Sequence, residues 1–304
     1  MQRSAFPFIL LLLFLFPCNR AKGNDTLELP RNVEQASSLQ MEEVNIGGQK
    51  RYRILTEHYD ITASRCDDGI LASERLEHLF HAWNLLWAEL FQEAKDEPEQ
   101  HRHRIILYRD KQEYTVNLQR LDPFIDQTNG FYFAPRKTAY FFSPEAKVLF
   151  HEGTHQIFEE HFFPEKMPVF RNNFWVVEGI ALFMETLQIE EKSYKVGNFL
   201  ADRLYAAKVY QFQQNYNLPI QKLTALSAAE IKSQVDIIKI YSQSATLVHW
   251  LMFAEKGRYR KSLFELLRRT YLDSAKPETL SELIGLPYEG LDRKYVEFLQ
   301  SIPD

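Results

Sequence analysis

Apolar positions along the chain follow two different periods, and the change between them divides it. Tyr52-Arg53-Ile54-Leu55 and Tyr59-Asp60-Ile61-Thr62 carry β-branched and aromatic residues in partial alternation, the pattern of two strands. From 70 to 93 the spacing changes to three and four. Leu71, Leu76, Leu79, Phe80, Trp83, Leu86, Trp87, Leu90 and Phe91 then form one helical stripe. His78 and His81 fall in that helix and read as packed or solvated histidines before they read as ligands. Pro98 marks a break. A short strand follows at 104–108 and a helix at 110–118. The aromatic stretches 130–134 and 138–142 flank Pro135-Arg136-Lys137 as a hairpin. Ser143-Pro144 reads as the cap and first residue of a new helix, which must end before Pro164. From about Phe174 the pattern is largely helical to the end, with segments at 199–216, 235–253, 261–270 and 291–299, punctuated by Pro219 and Pro287. There are no internal repeats. Strand-helix-strand followed by helices predicts an α+β fold: an N-terminal α/β lobe with a small mixed sheet at 49–143, and a mostly helical C-terminal lobe at 144–304.

The first residues lie outside this scheme. Arg3 precedes an apolar run at 6–16, and Pro17-Cys18-Asn19-Arg20-Ala21 follows. A basic start, a short apolar core and a small residue predict a secretory signal peptide over 1–22, and so an exported, periplasmic or extracellular protein. The run is short of the roughly 20 residues of a transmembrane span, so no span is expected in the mature chain. Leu15-Phe16-Pro17-Cys18 distantly resembles a lipoprotein cleavage site, but Pro17 fits it poorly, and a lipid anchor through Cys18 is the minor reading. Residues 23–48 are polar without a clear period and read as a flexible leader.

Composition narrows the function classes. With 304 residues, 45% of them apolar, the chain can bury a sizeable core, as one large domain or as two lobes sharing a cleft. A net charge of −5 with no Lys/Arg block argues against nucleic acid as a partner. Removal of a signal peptide leaves Cys66 alone, so no internal disulfide is expected. The stretch 64–69 looks like a loop, and Cys66 reads as a core or turn cysteine rather than a nucleophile.

The candidate chemistry sits in the helix after the hairpin. Val148-Leu149-Phe150-His151-Glu152-Gly153-Thr154-His155-Gln156-Ile157 places His-Glu-x-x-His inside an apolar run. Residues four apart share a helix face, so His151 and His155 can offer two imidazole nitrogens to one zinc ion. Glu152 lies about 100° round the helix, beside the ion, where a carboxylate can deprotonate a bound water. Gly153 costs about 1 kcal/mol relative to Ala in mid-helix and marks a close approach.

A catalytic zinc then needs a third protein ligand. His161 lies ten residues after His151, the spacing at which metzincins place a third histidine, but their pattern needs a glycine at 158 to turn the chain back and Phe158 stands there. On a continuing helix His161 points roughly 80° away. Glu159 and Glu160 share that geometry and read as solvated. Glu178 is the stronger candidate. Its carboxylate stands among Val177, Ile180 and Ala181, where burial without a partner is costly. The alternative is a helix-start glutamate stabilised by the dipole.

His151-Glu152-x-x-His155 followed by Glu178-Gly179-x-Ala181 resembles the gluzincins of the peptidase MA clan, such as thermolysin and the zinc aminopeptidases. Val177 and Ile180 depart from the aminopeptidase pattern, and the Gly-x-Met-Glu-Asn segment that anchors a substrate amino terminus is absent. Over roughly residues 50–300, with Trp175, Tyr241-Ser-Gln-Ser-Ala and His249-Trp-Leu, the chain is also similar to exported bacterial proteins of peptidase-MA-like type. The resemblance implies a zincin-like fold and one Zn2+ per chain held by His151, His155 and Glu178. It implies Glu152 as general base, acting on a peptide or protein substrate. It further implies that Glu185 orients a zinc-bound imidazole and that Tyr241 sits over the cleft as donor to the oxyanion, with His249 a weaker candidate for that role. Residues 130–142 offer an edge strand for an extended peptide. The competing expectations are a binding or assembly protein that keeps the zinc fold without turnover and, weaker still, a zinc hydrolase of a non-peptide bond.

Overall fold

The structure is a computed structural model that describes residues 26–31, 39–87, 101–162, 169–199 and 201–303. The expected signal peptide with Cys18, the helix end at 88–93, Pro98 and Pro164 lie outside the described residues.

After β1 (Leu27–Pro30) the chain enters a six-stranded sheet. β2 (Gln40–Ile46), β3 (Gln49–Leu55) and β4 (Tyr59–Ala63) form an antiparallel meander. Helix α1 (Cys66–Trp87) precedes β5 (His103–Leu107), which pairs parallel to β4. Helix α2 (Lys111–Leu118) is capped by the Asp110 carboxylate on the Glu113 amide. The hairpin of β6 (Gly130–Phe133) and β7 (Thr138–Phe141) follows, closed by a 3-10 turn with Lys137 left-handed at φ 47°. β7 pairs parallel to β5 and β6 takes the edge, for an order β2-β3-β4-β5-β7-β6.

Period-two alternation sorts the two faces of this sheet. Tyr59, Ile61, Ala63, Ile105, Leu107, Ala139 and Phe141 are buried in the main core with α1. The intervening Ile106 and Tyr140, with Tyr108, Phe131 and Phe133, pack instead against Tyr114, Leu118 and Ile125 in a smaller cluster with α2.

The main core continues into α3 (Ala146–Phe162), which packs against α1, the hairpin and α4 (Phe174–Met184). All eleven residues of α4 are buried, as expected of a helix apolar on every side. At Gly153 a Cβ would come within 2.7 Å of Leu79 Cδ2, so a residue without a side chain is what lets α3 lie this close to α1. The helix starts at Ala146 rather than at Ser143. The Pro144 carbonyl is taken by the Arg75 guanidinium, and the Leu149 amide donates to Glu145 O at 3.0 Å.

Three further expectations are corrected. The segment 23–48 is not wholly a flexible leader, since it supplies β1 and β2. Cys66 opens α1 instead of lying in a loop, because Asp67 and Asp68 place negative charge in the helix's first turn. Beyond α4 the chain is not helical throughout: β8 (Gln188–Ile189) and β9 (Ser193–Val196) form a three-stranded sheet in the order β1-β9-β8.

Helices complete the chain: α5 (Asp202–Gln213), α6 (Ile220–Ala225), α7 (Ala228–Lys232), α8 (Ile237–Gly257), α9 (Arg260–Tyr271), α10 (Thr279–Ile284) and α11 (Tyr288–Ser301). α8 leaves helical geometry at Ala254, Glu255 and Lys256. It packs along α4 and α5, so one hydrophobic core runs from Ile54 in the sheet to Leu299 in α11. The fold is α+β, with α3 between the sheet and the C-terminal helices. Among the described residues no helix is long and apolar enough to cross a membrane.

Candidate metal centre

The packing of α3 on α4 brings His151 and His155 against Glu178. The two Nε2 atoms are 3.3 Å apart, and Glu178 Oε2 lies 3.6 Å from that of His151 and 3.7 Å from that of His155. The contacts to oxygen are too long for good hydrogen bonds. They match another arrangement: a tetrahedral ion with ligands at about 2.0–2.2 Å keeps those ligands about 3.3–3.6 Å apart. Glu178 is 4% exposed while the two histidines are partly exposed, so a buried carboxylate meets two rings that solvent can still reach. This group can hold a metal ion.

Its electrostatics point the same way. Burial would raise the Glu178 carboxyl, yet the two imidazoles hold it well below the ordinary carboxylate range. Burial would likewise lower His151, but Glu178 and Glu185, with the charge of Glu152, hold it well above the usual histidine value. The cluster therefore demands positive charge at its centre. A proton meets that demand in the metal-free chain, and a divalent cation meets it better.

Surrounding groups orient the donors. Glu185, two turns beyond Glu178 at the end of α4, accepts from His151 Nδ1 at 2.8 Å. A carboxylate on Nδ1–H leaves the Nε2 lone pair for the centre. Glu152 points toward the edge strand, where its Oε2 accepts from the Tyr132 amide at 2.9 Å. The strand can come this near because position 130 is glycine; a Cβ there would lie 2.7 Å from Val148 Cγ1 and 3.0 Å from Glu152 Cγ. Tyr241, on α8, is 8% exposed and lies near the Glu178 carboxylate. Burial and that carboxylate push its pKa well above the usual value, so it remains a hydrogen-bond donor.

Other sequence candidates lie elsewhere. His249 is eight residues along α8 from Tyr241, about 12 Å on a helix, and it is buried among Phe199, Phe253 and Phe298 with its Nε2 bonded to Gly197 O at 3.1 Å. It does not share Tyr241's position. His161 stands edge-on to Trp83, away from the three donors. Cys66 Sγ lies 3.1 Å from Met41 Sδ. Glu160 is buried rather than solvated, and Glu159 is only partly exposed. Burial pushes Glu159 up to about 7, and Glu160 accepts hydrogen bonds from His101, His103 and Gln156.

The Tyr132 amide is the contact that residue-by-residue reading missed. A backbone donor has no side-chain signature, and only the hairpin pattern hinted at it. No family model matches the chain, and no curated protein matches it either.

Proposed function

We propose that the chain is an exported zinc-dependent peptidase of the gluzincin type, with a zincin-like active site on α3 and α4. The observation that carries this reading is the convergence of His151, His155 and Glu178 at metal-ligand spacing with Glu152 immediately beside them. Two imidazoles and a carboxylate are the donor set of a catalytic zinc that keeps a position for water or substrate. Zinc bound there would lower the pKa of water and polarise a substrate carbonyl.

The chain's own residues do the rest. Glu152 accepts the proton of the attacking water and returns it to the leaving amine. Its Oε2 is steadied by the Tyr132 amide, which leaves Oε1 for the proton. Tyr241, kept protonated by burial, donates to the oxygen that gains charge as the carbonyl is attacked. Glu185 holds the His151 ring in place. β6 is the sheet edge nearest Glu152, and an extended peptide paired along it would lay its backbone across the site. That geometry favours a peptide over a compact non-peptide substrate.

The test is Glu152→Gln. Zinc should stay bound, and cleavage of a broad peptide library should fall by about 10²–10⁴-fold. Full activity in that variant overturns the mechanism. One zinc lost on His151→Ala/His155→Ala, with no peptide cleaved by the parent chain, would favour the binding or assembly role.

A further inference from the structure

Among the described residues three groups of histidine and glutamate bring their ligand atoms within 4.8 Å of one another. One of them, His58, Glu77 and His81, lies off the α3–α4 pair, and the proposed reaction does not use it. Glu77 and His81 stand four apart on α1 and therefore share a face. His58 reaches them from the turn between β3 and β4, its ring stacked on Phe80 with centroids 3.8 Å apart.

The three side chains are held unequally. Glu77 is buried, and His58 anchors it twice: the backbone amide donates to Oε1 at 2.9 Å and Nδ1 to Oε2 at 2.7 Å. His81 is not anchored in this way. Its Nε2 stands 3.9 Å from Glu77 Oε2, beyond hydrogen-bond range. One ion with bonds of about 2.0–2.2 Å could touch both atoms. A further carboxylate, the exposed Glu57, lies 3.8 Å from His58 Nε2. The two rings are 20% and 22% exposed, so an ion can reach the group from solvent.

We propose that His58, Glu77 and His81 form a second metal site, separate from the catalytic centre, for a divalent transition-metal ion of the zinc, nickel or copper class. Two imidazoles select these ions over calcium or magnesium, which prefer oxygen throughout. An ion there pins the β3–β4 turn onto α1.

The site does not depend on the peptidase reading, and its test avoids activity. Cobalt(II) is added to metal-stripped chain carrying His151→Ala and His155→Ala. One cobalt per chain should bind, with visible d–d absorption, and adding His81→Ala should abolish it. Zinc should raise the thermal midpoint of the first variant and not of the second. Absence of cobalt binding to the first variant, with a native circular dichroism spectrum, overturns the proposal. Should those substitutions unfold the chain, the wild type supplies the same contrast by metal analysis: two zinc ions, falling to one in His81→Ala. A count that His81→Ala leaves unchanged overturns the site.

Discussion

Helix α3 contributes to two His–His–Glu centres built from the same residue types and closed in opposite ways. At one, Glu178 Oε2 stands 3.6 and 3.7 Å from His151 and His155. At the other, Glu160 Oε2 lies 2.8 Å from His101 Nε2 and 2.9 Å from His103 Nδ1, while its Oε1 takes the Gln156 amide at 2.8 Å. Only five residues, roughly 7–8 Å of helix, separate His155 from Glu160. In the second centre both rings donate to the ionised carboxylate, so, unlike the His58–Glu77–His81 group with its 3.9 Å gap at His81, no pair of donors is left open for an ion. In the first the gaps are wider and an ion fits between the donors. Less than an ångström thus separates a ligand set from a hydrogen-bonded cluster, and composition cannot see it.

The sharpest way to break this contrast is to delete each glutamate in turn. Glu178→Ala should cost the α3–α4 centre more than about 100-fold in zinc affinity, beyond the loss typical of an outer-sphere partner, and should abolish the proposed peptide cleavage. Glu160→Gln should leave that affinity unchanged. Competition against a chromophoric chelator measures both. Equal losses from the two would mean that the centres are one site.

The hydrogen-bonded centre should reveal itself in stability instead. Burial would raise Glu160, but the bonds from His101, His103 and Gln156 hold it at about 2. A carboxyl whose pKa is depressed by folding stabilises the native state above its unfolded value, about 4.5. That contribution is lost as the pH falls from there through about 2. It amounts to about 3 kcal/mol. Glu160→Gln should therefore lower the unfolding free energy at pH 7 by that order and flatten its fall between pH 5 and 2 in urea titrations. An unchanged acid limb would remove Glu160 from the account.

A smaller effect is expected at Glu185, which touches the α3–α4 centre through His151. Glu185→Ala should weaken zinc binding by about 10–100-fold and leave the acid limb as it was. A loss as large as that of Glu178→Ala would make Glu185 a ligand and not a positioning residue.

Legibility in the sequence followed burial. β4 and β5 alternate buried positions with less buried ones and were visible as strands; α1 buries one stripe and was visible as a helix. β2 was not visible, because nearly every residue in it is exposed and no face is marked out. β1 was missed for another reason: it is four residues long and pairs with β9, more than 160 positions away. The short helices α6, α7 and α10 have too few turns to show a period.

The site divides along the same line. The spacing of His151, Glu152 and His155 is a property of one helix, and Glu178 declared itself as a charge in an apolar run; local geometry and the cost of burial sufficed for these. The Tyr132 amide on Glu152, the Glu160 cluster and the His58–Glu77–His81 group all join elements that meet only when the sheet is assembled. Glu160 looked solvated because its partners lie 57 and 59 positions away. The sequence by itself determined which residues can donate to an ion and on which helix faces they stand, because a helix repeats every 3.6 residues wherever it lies. Tertiary structure alone decided how far apart the donors come to rest, and so whether an ion or a proton belongs between them, because that distance is set by how α3 packs on α4 at one point and on β5 at another.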